Sequence, residues 1–256
     1  MENSRPKTSN SAKGTNLRES RRGGKMRRET VNGNRLAAKK QAPRRTDRSK
    51  LYIPPAKPRQ PKPPEQKLPP VTNVLQVSEG ARHGELLLNS ESPKTRPTPL
   101  KLREAAFKAL GKRIRLARFL DIGSGCGMMG IEAISRGAML ATMVERSAKM
   151  CSFIRGNLQL CSIKPGHGEL IEIEALPFLK RTAGRRKWEI VFVGLLEQPG
   201  TIAILEFLSS GKGMNKGGQV VVETRGEDRL PEMIGKLRRW RETDHEGRRL
   251  TFFAMT

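Results

Sequence analysis

Residues 119–130, Phe119-Leu-Asp-Ile-Gly-Ser-Gly-Cys-Gly-Met-Met-Gly130, constrain this chain more than any other segment. An apolar run ends in an acid, three glycines alternate at 123, 125 and 127, and an apolar helical pattern begins at once. Glycines at this density let the backbone turn sharply and let a ligand approach the main chain closely. The helix that follows presents unpaired N–H groups at its start, which favour an anionic or electron-rich ligand group. A strand, a tight glycine turn and a helix in this order belong to α/β architectures.

The rest of residues 71–256 repeats the alternation. Val74–Val77 and Leu86–Leu88, separated by a segment with two glycines, predict a hairpin. Thr98-Pro99 reads as an N-cap followed by proline at the first helical position. Leu102, Ala106 and Leu110 give that helix an apolar face, and Gly111 ends it. Strands are then predicted over 118–122, 139–145, 169–173, 188–193, 219–223 and 249–255. Helices are predicted over 147–159, 175–181, 201–209 and 230–240. The expected fold is a doubly wound, mostly parallel α/β sheet, whose ligands bind outside the carboxyl ends of the strands.

Two readings of the glycine turn compete. Gly125, Gly127 and Gly130 spell G-x-G-x-x-G, and Glu145 follows Gly125 by 20 residues, the pattern of a dinucleotide site whose acid holds a ribose. Alternatively, Asp121-x-Gly-x-Gly-x-Gly resembles motif I of S-adenosylmethionine (SAM)-dependent methyltransferases. There the acid at the strand end faces the methionine portion, and the acid after the second strand holds the ribose hydroxyls.

The surroundings bear on the choice. The order RPTPLKLREAAFKAL, FLDIGSGCGMMGIEAISRGA, ATMVERS and EALPFL, with Gly80 and Gly84 in the hairpin before Arg96-Pro97-Thr98, resembles the RsmD-type small-subunit rRNA guanine-N2 methyltransferase family. The resemblance covers roughly residues 74–256. It implies a Rossmann-like, seven-stranded SAM-dependent methyltransferase fold and a SAM pocket lined by Asp121, Gly123, Gly125 and Gly127. Glu145 would accept from the ribose hydroxyls. Glu174 stands where the family has Asp or Asn near the adenine. Arg96 and Thr98 would border cofactor and RNA. Taken singly, Glu145 is also readable as a solvated strand-end acid, Glu174 as a helix-start acid and Arg96 as a surface charge.

The resemblance also exposes a departure. To methylate a base amine, the family carries Asp or Asn, Pro, Pro, then Tyr or Phe after the fourth strand. Oxygens there accept hydrogen bonds from the amine, and the ring stacks on the extruded base. Here Trp188–Val193 is followed by Gly194-Leu195-Leu196-Glu197. The acceptor, both prolines and the aromatic are missing, and Glu197 or Gln198 is the nearest displaced acceptor.

The chain carries 50 Lys+Arg against 25 Asp+Glu over 256 residues, a net +25, so a polyanionic partner is the first expectation. Residues 1–70 hold 20 of those basic residues, five acids and ten of the 17 prolines. They read as a disordered basic arm with a Pro-rich linker, attracted to nucleic-acid phosphates by counterion release or serving only as a solubilising tail. Arg185, Arg186 and Lys187, in the basic run before the fourth strand, are further candidates for RNA contact. The expected partner is rRNA or the small ribosomal subunit, met as a monomer.

Several classes recede. No apolar stretch is long enough to span a membrane, and no secretory signal is seen. Cys126, Cys151 and Cys161 form no C-x-x-C pair, so neither a disulfide framework nor a thiolate zinc site is expected and a reducing, cytoplasmic setting fits. His83, His167 and His245 share no ligand spacing, so no metal is expected. Cys126, in the turn, is either a reactive thiol or a small packing residue.

Overall fold

A computed structural model describes residues 73–90, 96–195 and 198–256. The basic arm of residues 1–70 lies outside the described residues, as do Leu196 and Glu197.

A two-stranded antiparallel hairpin, β1 (Asn73–Gln76) and β2 (Leu86–Asn89), precedes the main sheet. Helix α1 (Leu100–Leu110) follows, and a 3-10 turn, Gly111–Ile114, leads into β3 (Arg118–Ile122). Then come α2 (Met128–Ser135), β4 (Leu140–Glu145), α3 (Ala148–Leu160), β5 (Gly168–Glu172) and α4 (Ala175–Thr182). The chain continues through β6 (Trp188–Val193), α5 (Gln198–Ser209) and β7 (Met214–Arg225). Three strands close it: β8 (Met233–Ile234), β9 (Leu237–His245) and β10 (Arg248–Met255).

The main sheet runs β5-β4-β3-β6-β7-β10-β9-β8. Its first five members pair in parallel, and β10, β9 and β8 add antiparallel. Strand order reverses between β4 and β6 across β3, the switch point at which such sheets bind ligands. The antiparallel β10 beside β7 departs from the all-parallel order 3-2-1-4-5-6 of dinucleotide-binding sheets.

Both faces of the central strands are buried, and each strand divides its side chains between two cores with period two. Leu120, Ile122, Val191, Val193, Val220, Val222 and Phe253 meet α4 and α5 on one face. Phe119, Ile190, Phe192, Val221, Leu250 and Phe252 meet α1 and α2 on the other. A third cluster joins the hairpin to α2 and α3 through Val77, Leu87, Ile131 and Phe153.

Three expectations need correction. Residues 230–240 are not a helix, and among the described residues the sheet has eight strands rather than seven. Leu230, Ile234 and Leu237 fit a helical stripe, but Gly235 takes φ +54° and turns the chain so that Ile234 pairs with Leu237 and Met233 with Arg238. Pairing with β10 then holds the segment extended. The third correction concerns the start of α1. Pro99 occupies the N-cap position without a side-chain cap, because the Thr98 hydroxyl donates to Glu223 instead.

Candidate cofactor pocket and acceptor site

The turn after β3 is fastened to the end of β4. The N–H groups of Gly123 and Ser124 both donate to the Val144 carbonyl, at 3.0 and 3.3 Å. Gly125 takes φ +56° with open space where a side chain would stand, so its backbone faces the pocket bare. Its N–H donates to Glu145 Oε2 at 2.9 Å, and Ser147 N–H donates to Glu145 Oε1 at 2.8 Å. Each carboxylate oxygen therefore accepts one backbone donor and keeps a lone pair for a ligand. Two such lone pairs on one planar group suit a vicinal diol.

Asp121 stands one residue from the end of β3, on the face shared with α1 and α2. It is buried, and Gly130 N–H donates to its Oδ2 at 3.0 Å. Burial pushes its carboxyl up to about 7, against the pull of the Gly130 N–H, and the nearby Glu145 and Glu223 add to the rise. A carboxyl poised in this way is stabilised as the anion by any cationic ligand group placed beside it.

These residues share one pocket of about 330 Å³, within the range of ligand sites. Asp121, Gly123, Gly125, Glu145, Glu174, Arg96, Thr98, Gly194 and Leu195 all line it. Gly127 lies behind the wall, at the N-cap of α2, against Met143 and Ile154. Glu174 is exposed at the start of α4 and pairs with Arg146 at 3.3 Å. Arg96 is exposed, whereas Thr98 is buried.

Three pocket residues carry no signal that singles them out in the sequence pattern: Asn89, Glu223 and Arg248. Thr98 Oγ1 donates to Glu223 Oε2 at 2.5 Å, and Arg248 Nη1 donates to Glu223 Oε1 at 2.7 Å. Arg248 also donates to the carbonyls of Pro97 and Arg96, at 3.1 and 3.4 Å. This brace holds residues 96–98 against the sheet. Of the three, Glu223 has the nearest thing to a signal, because it ends a predicted strand on the ligand side; Arg248 has none.

Among the described residues, the end of β6 offers a substrate amine no side-chain acceptor. Gly194 has no side chain, and the site its Cβ would take lies 3.2 Å from the Phe192 ring and 3.3 Å from the Gly123 carbonyl. The Leu195 side chain packs on Gly123, and its carbonyl accepts the Thr201 hydroxyl at 2.8 Å. Leu196 and Glu197 lie outside the described residues.

The basic run is not brought to this pocket. Arg185 and Lys187 are exposed at the amino end of β6, the opposite end of the parallel strands. Arg186 is committed there. It pairs with Glu169 at 2.6 Å, donates to Thr142 and lies over the Trp188 ring, and its guanidinium holds the Glu169 carboxyl below its ordinary range. Cys126 is a packing residue, since burial raises its thiol to about 11. Among the described residues no three His, Cys, Asp or Glu side chains converge as a metal site, and no helix is long and apolar enough to cross a membrane.

A family model described as conserved hypothetical protein 95 matches residues 75–254, most of the chain. Ribosomal RNA small subunit methyltransferase D of Escherichia coli K12 is 31% identical over 163 residues, covering 61% of this chain and 78% of that protein. The protein of the same name from Buchnera aphidicola is 29% identical over 150 residues, covering 58% and 77%.

The chain belongs to the RsmD family.

The solved structure of YhhF from Escherichia coli superposes with a TM-score of 0.64 at 24% identity, covering 72% of this chain and 98% of that one. The RsmD-family fold here is that of SAM-dependent methyltransferases: a mostly parallel α/β sheet with the antiparallel β10 inserted beside β7.

Proposed function

We propose that this chain is a SAM-dependent methyltransferase that acts on a guanine amino group of small-subunit rRNA. The observation that carries the proposal is the pair of strand-end acids around the glycine turn, with lone pairs of Glu145 left free for a diol and Asp121 buried beside Gly130. The fit to SAM is one of donor sets. Glu145 accepts from the ribose hydroxyls, and Asp121 faces the ammonium of the methionine portion. Glu174 lies on the adenine side, and the bare backbone of Gly125 admits the thioether. When bound, SAM supplies an electrophilic methyl group on a sulfonium.

Arg96 and Thr98 border the mouth, with Thr98 fixed by Glu223 and Arg248. Residues 1–70 act as a separate basic arm that draws RNA in by its phosphates, ahead of a catalytic domain spanning 71–256. Arg185 and Lys187 sit where they touch phosphates remote from the reacting base, while Arg186 is held by Glu169. The protein works as a monomer in the cytoplasm.

The end of β6 favours a second reading, in which the chain holds SAM and rRNA without efficient turnover, as a factor in ribosome assembly. Gly194 supplies no side-chain acceptor, and the Thr201 hydroxyl takes one of the two lone pairs of the Leu195 carbonyl. Losing groups that aim the amine lowers the rate by orders of magnitude. Small subunits from cells lacking the protein, incubated with it and labelled SAM, separate the two. Label on guanine supports methyl transfer, and SAM binding without label supports the second reading. A protein that binds NAD and not SAM defeats both.

A further inference from the structure

Among the described residues, a few buried side-chain polar atoms have no hydrogen-bond partner, and of these only Asn89 Nδ2 belongs to a residue of the pocket wall. Asn89 is 2% exposed, at the end of β2. A buried amide donor without an acceptor is destabilising, so a ligand that brings the acceptor gains from it.

The position of Asn89 is fixed by its neighbour. Leu88 N–H donates to Asn157 Oδ1 at 2.8 Å, and Asn157 Nδ2 donates to the carbonyls of Leu88 and Cys126, both at 2.9 Å. The fully buried Asn157 thus clips the hairpin to the glycine turn, beside the start of α2. Helix α2 has no acidic residue in its first turn and no cap from its N-cap side chain; Asp121 takes the Gly130 N–H, and what remains of the helix's positive end suits an anionic ligand group. Cys126, Met128 and Met129 share the pocket wall with Asn89 there.

We infer that Asn89 donates to the amino-acid carboxylate of SAM and sets the selectivity of the pocket for ligands that carry that end. This rests on the reading of the pocket as a SAM site. Glu145, at the end of β4, takes the ribose, and the adenine lies further along, towards β5. The amino-acid end therefore lies over β3 and the start of α2. Its ammonium meets the Asp121 carboxyl. Its carboxylate needs donors, and the start of α2 with Asn89 Nδ2 supplies them.

The test compares two ligands by calorimetric titration of the full chain. S-adenosylhomocysteine carries the amino-acid end; 5′-methylthioadenosine shares the adenosine and the thioether but lacks it. Asn89→Leu is expected to weaken S-adenosylhomocysteine by about 10- to 100-fold, the range of one hydrogen bond to a charged group, and to leave methylthioadenosine within about twofold. Asn89→Asp, which sets a carboxylate against a carboxylate, is expected to lose more of the first ligand and again none of the second. Equal losses for both ligands in both variants, or no loss for either, overturn the inference. Failure of the unsubstituted chain to bind S-adenosylhomocysteine overturns the SAM reading instead.

Discussion

Asp121 shows how one residue links stability to function. Its carboxyl stands at about 7 in the folded chain against 3.8 for an ordinary aspartate, chiefly because it is buried. Between those values the folded state holds a proton that the unfolded state has released. Stability from this group therefore falls as pH rises through that window and is flat above it, by a few kcal/mol at most. Asp121→Asn removes the charge and keeps an acceptor for Gly130 N–H. Without cofactor, its melting temperature at pH 8 is expected to exceed that of the unsubstituted chain by several degrees, and the gap to close at pH 4. The same variant is expected to bind SAM more weakly, because the ammonium loses its anion. An unchanged melting temperature at pH 8 would show that Asp121 carries no burial penalty.

Among the elements, the hairpin illustrates what a long-range network does for a small unit. Two strands of four residues are marginal by themselves. Here Glu132, fully buried on α2, accepts from the backbone and hydroxyl of Ser78 and pairs with Arg136 at 2.8 Å and with the buried Arg103 at 3.5 Å. Gly80 lies so close to Ser135 that a Cβ would stand 2.1 Å from its carbonyl oxygen, which seats the hairpin on the end of α2. Glu132→Ala leaves Arg103 buried without its carboxylate and is expected to destabilise the chain by about 3–5 kcal/mol in urea unfolding, with Glu132→Gln milder. Equal, small losses for both would mean that the ion pairs contribute little. The element whose sequence pattern misleads, residues 230–240, is decided in the same non-local way. The spacing of Leu230, Ile234 and Leu237 suits a helix, and only the Gly235 turn and the partner strand β10 make it extended.

The whole molecule divides between what is local in sequence and what is not. The strand, glycine turn and helix at 118–135 are contiguous and the next strand ends at Glu145, so Asp121, Gly123, Gly125 and Glu145 are legible in the amino-acid sequence alone. The brace of Thr98, Glu223 and Arg248 joins residues more than a hundred positions apart, and Asn89 is an ordinary strand-end polar residue until its burial is seen. The expected RNA role of Arg186 does not anticipate Glu169, its partner in space. Charge also divides unevenly, with the arm holding more of the net +25 than the larger domain. Deleting residues 1–70 is expected to weaken RNA binding and to flatten its dependence on salt; an unchanged salt slope would remove the arm from the RNA contact. The most direct measurement on the protein's chemistry remains methyl transfer itself. Full-length protein, labelled SAM and small subunits from cells lacking the protein are incubated, and the rRNA is digested to nucleosides. Slow appearance of label in N2-methylguanosine is expected. Tight SAM binding with no labelled nucleoside, even at stoichiometric protein, would contradict it and leave a SAM-binding rRNA partner whose β6 end has lost the chemistry.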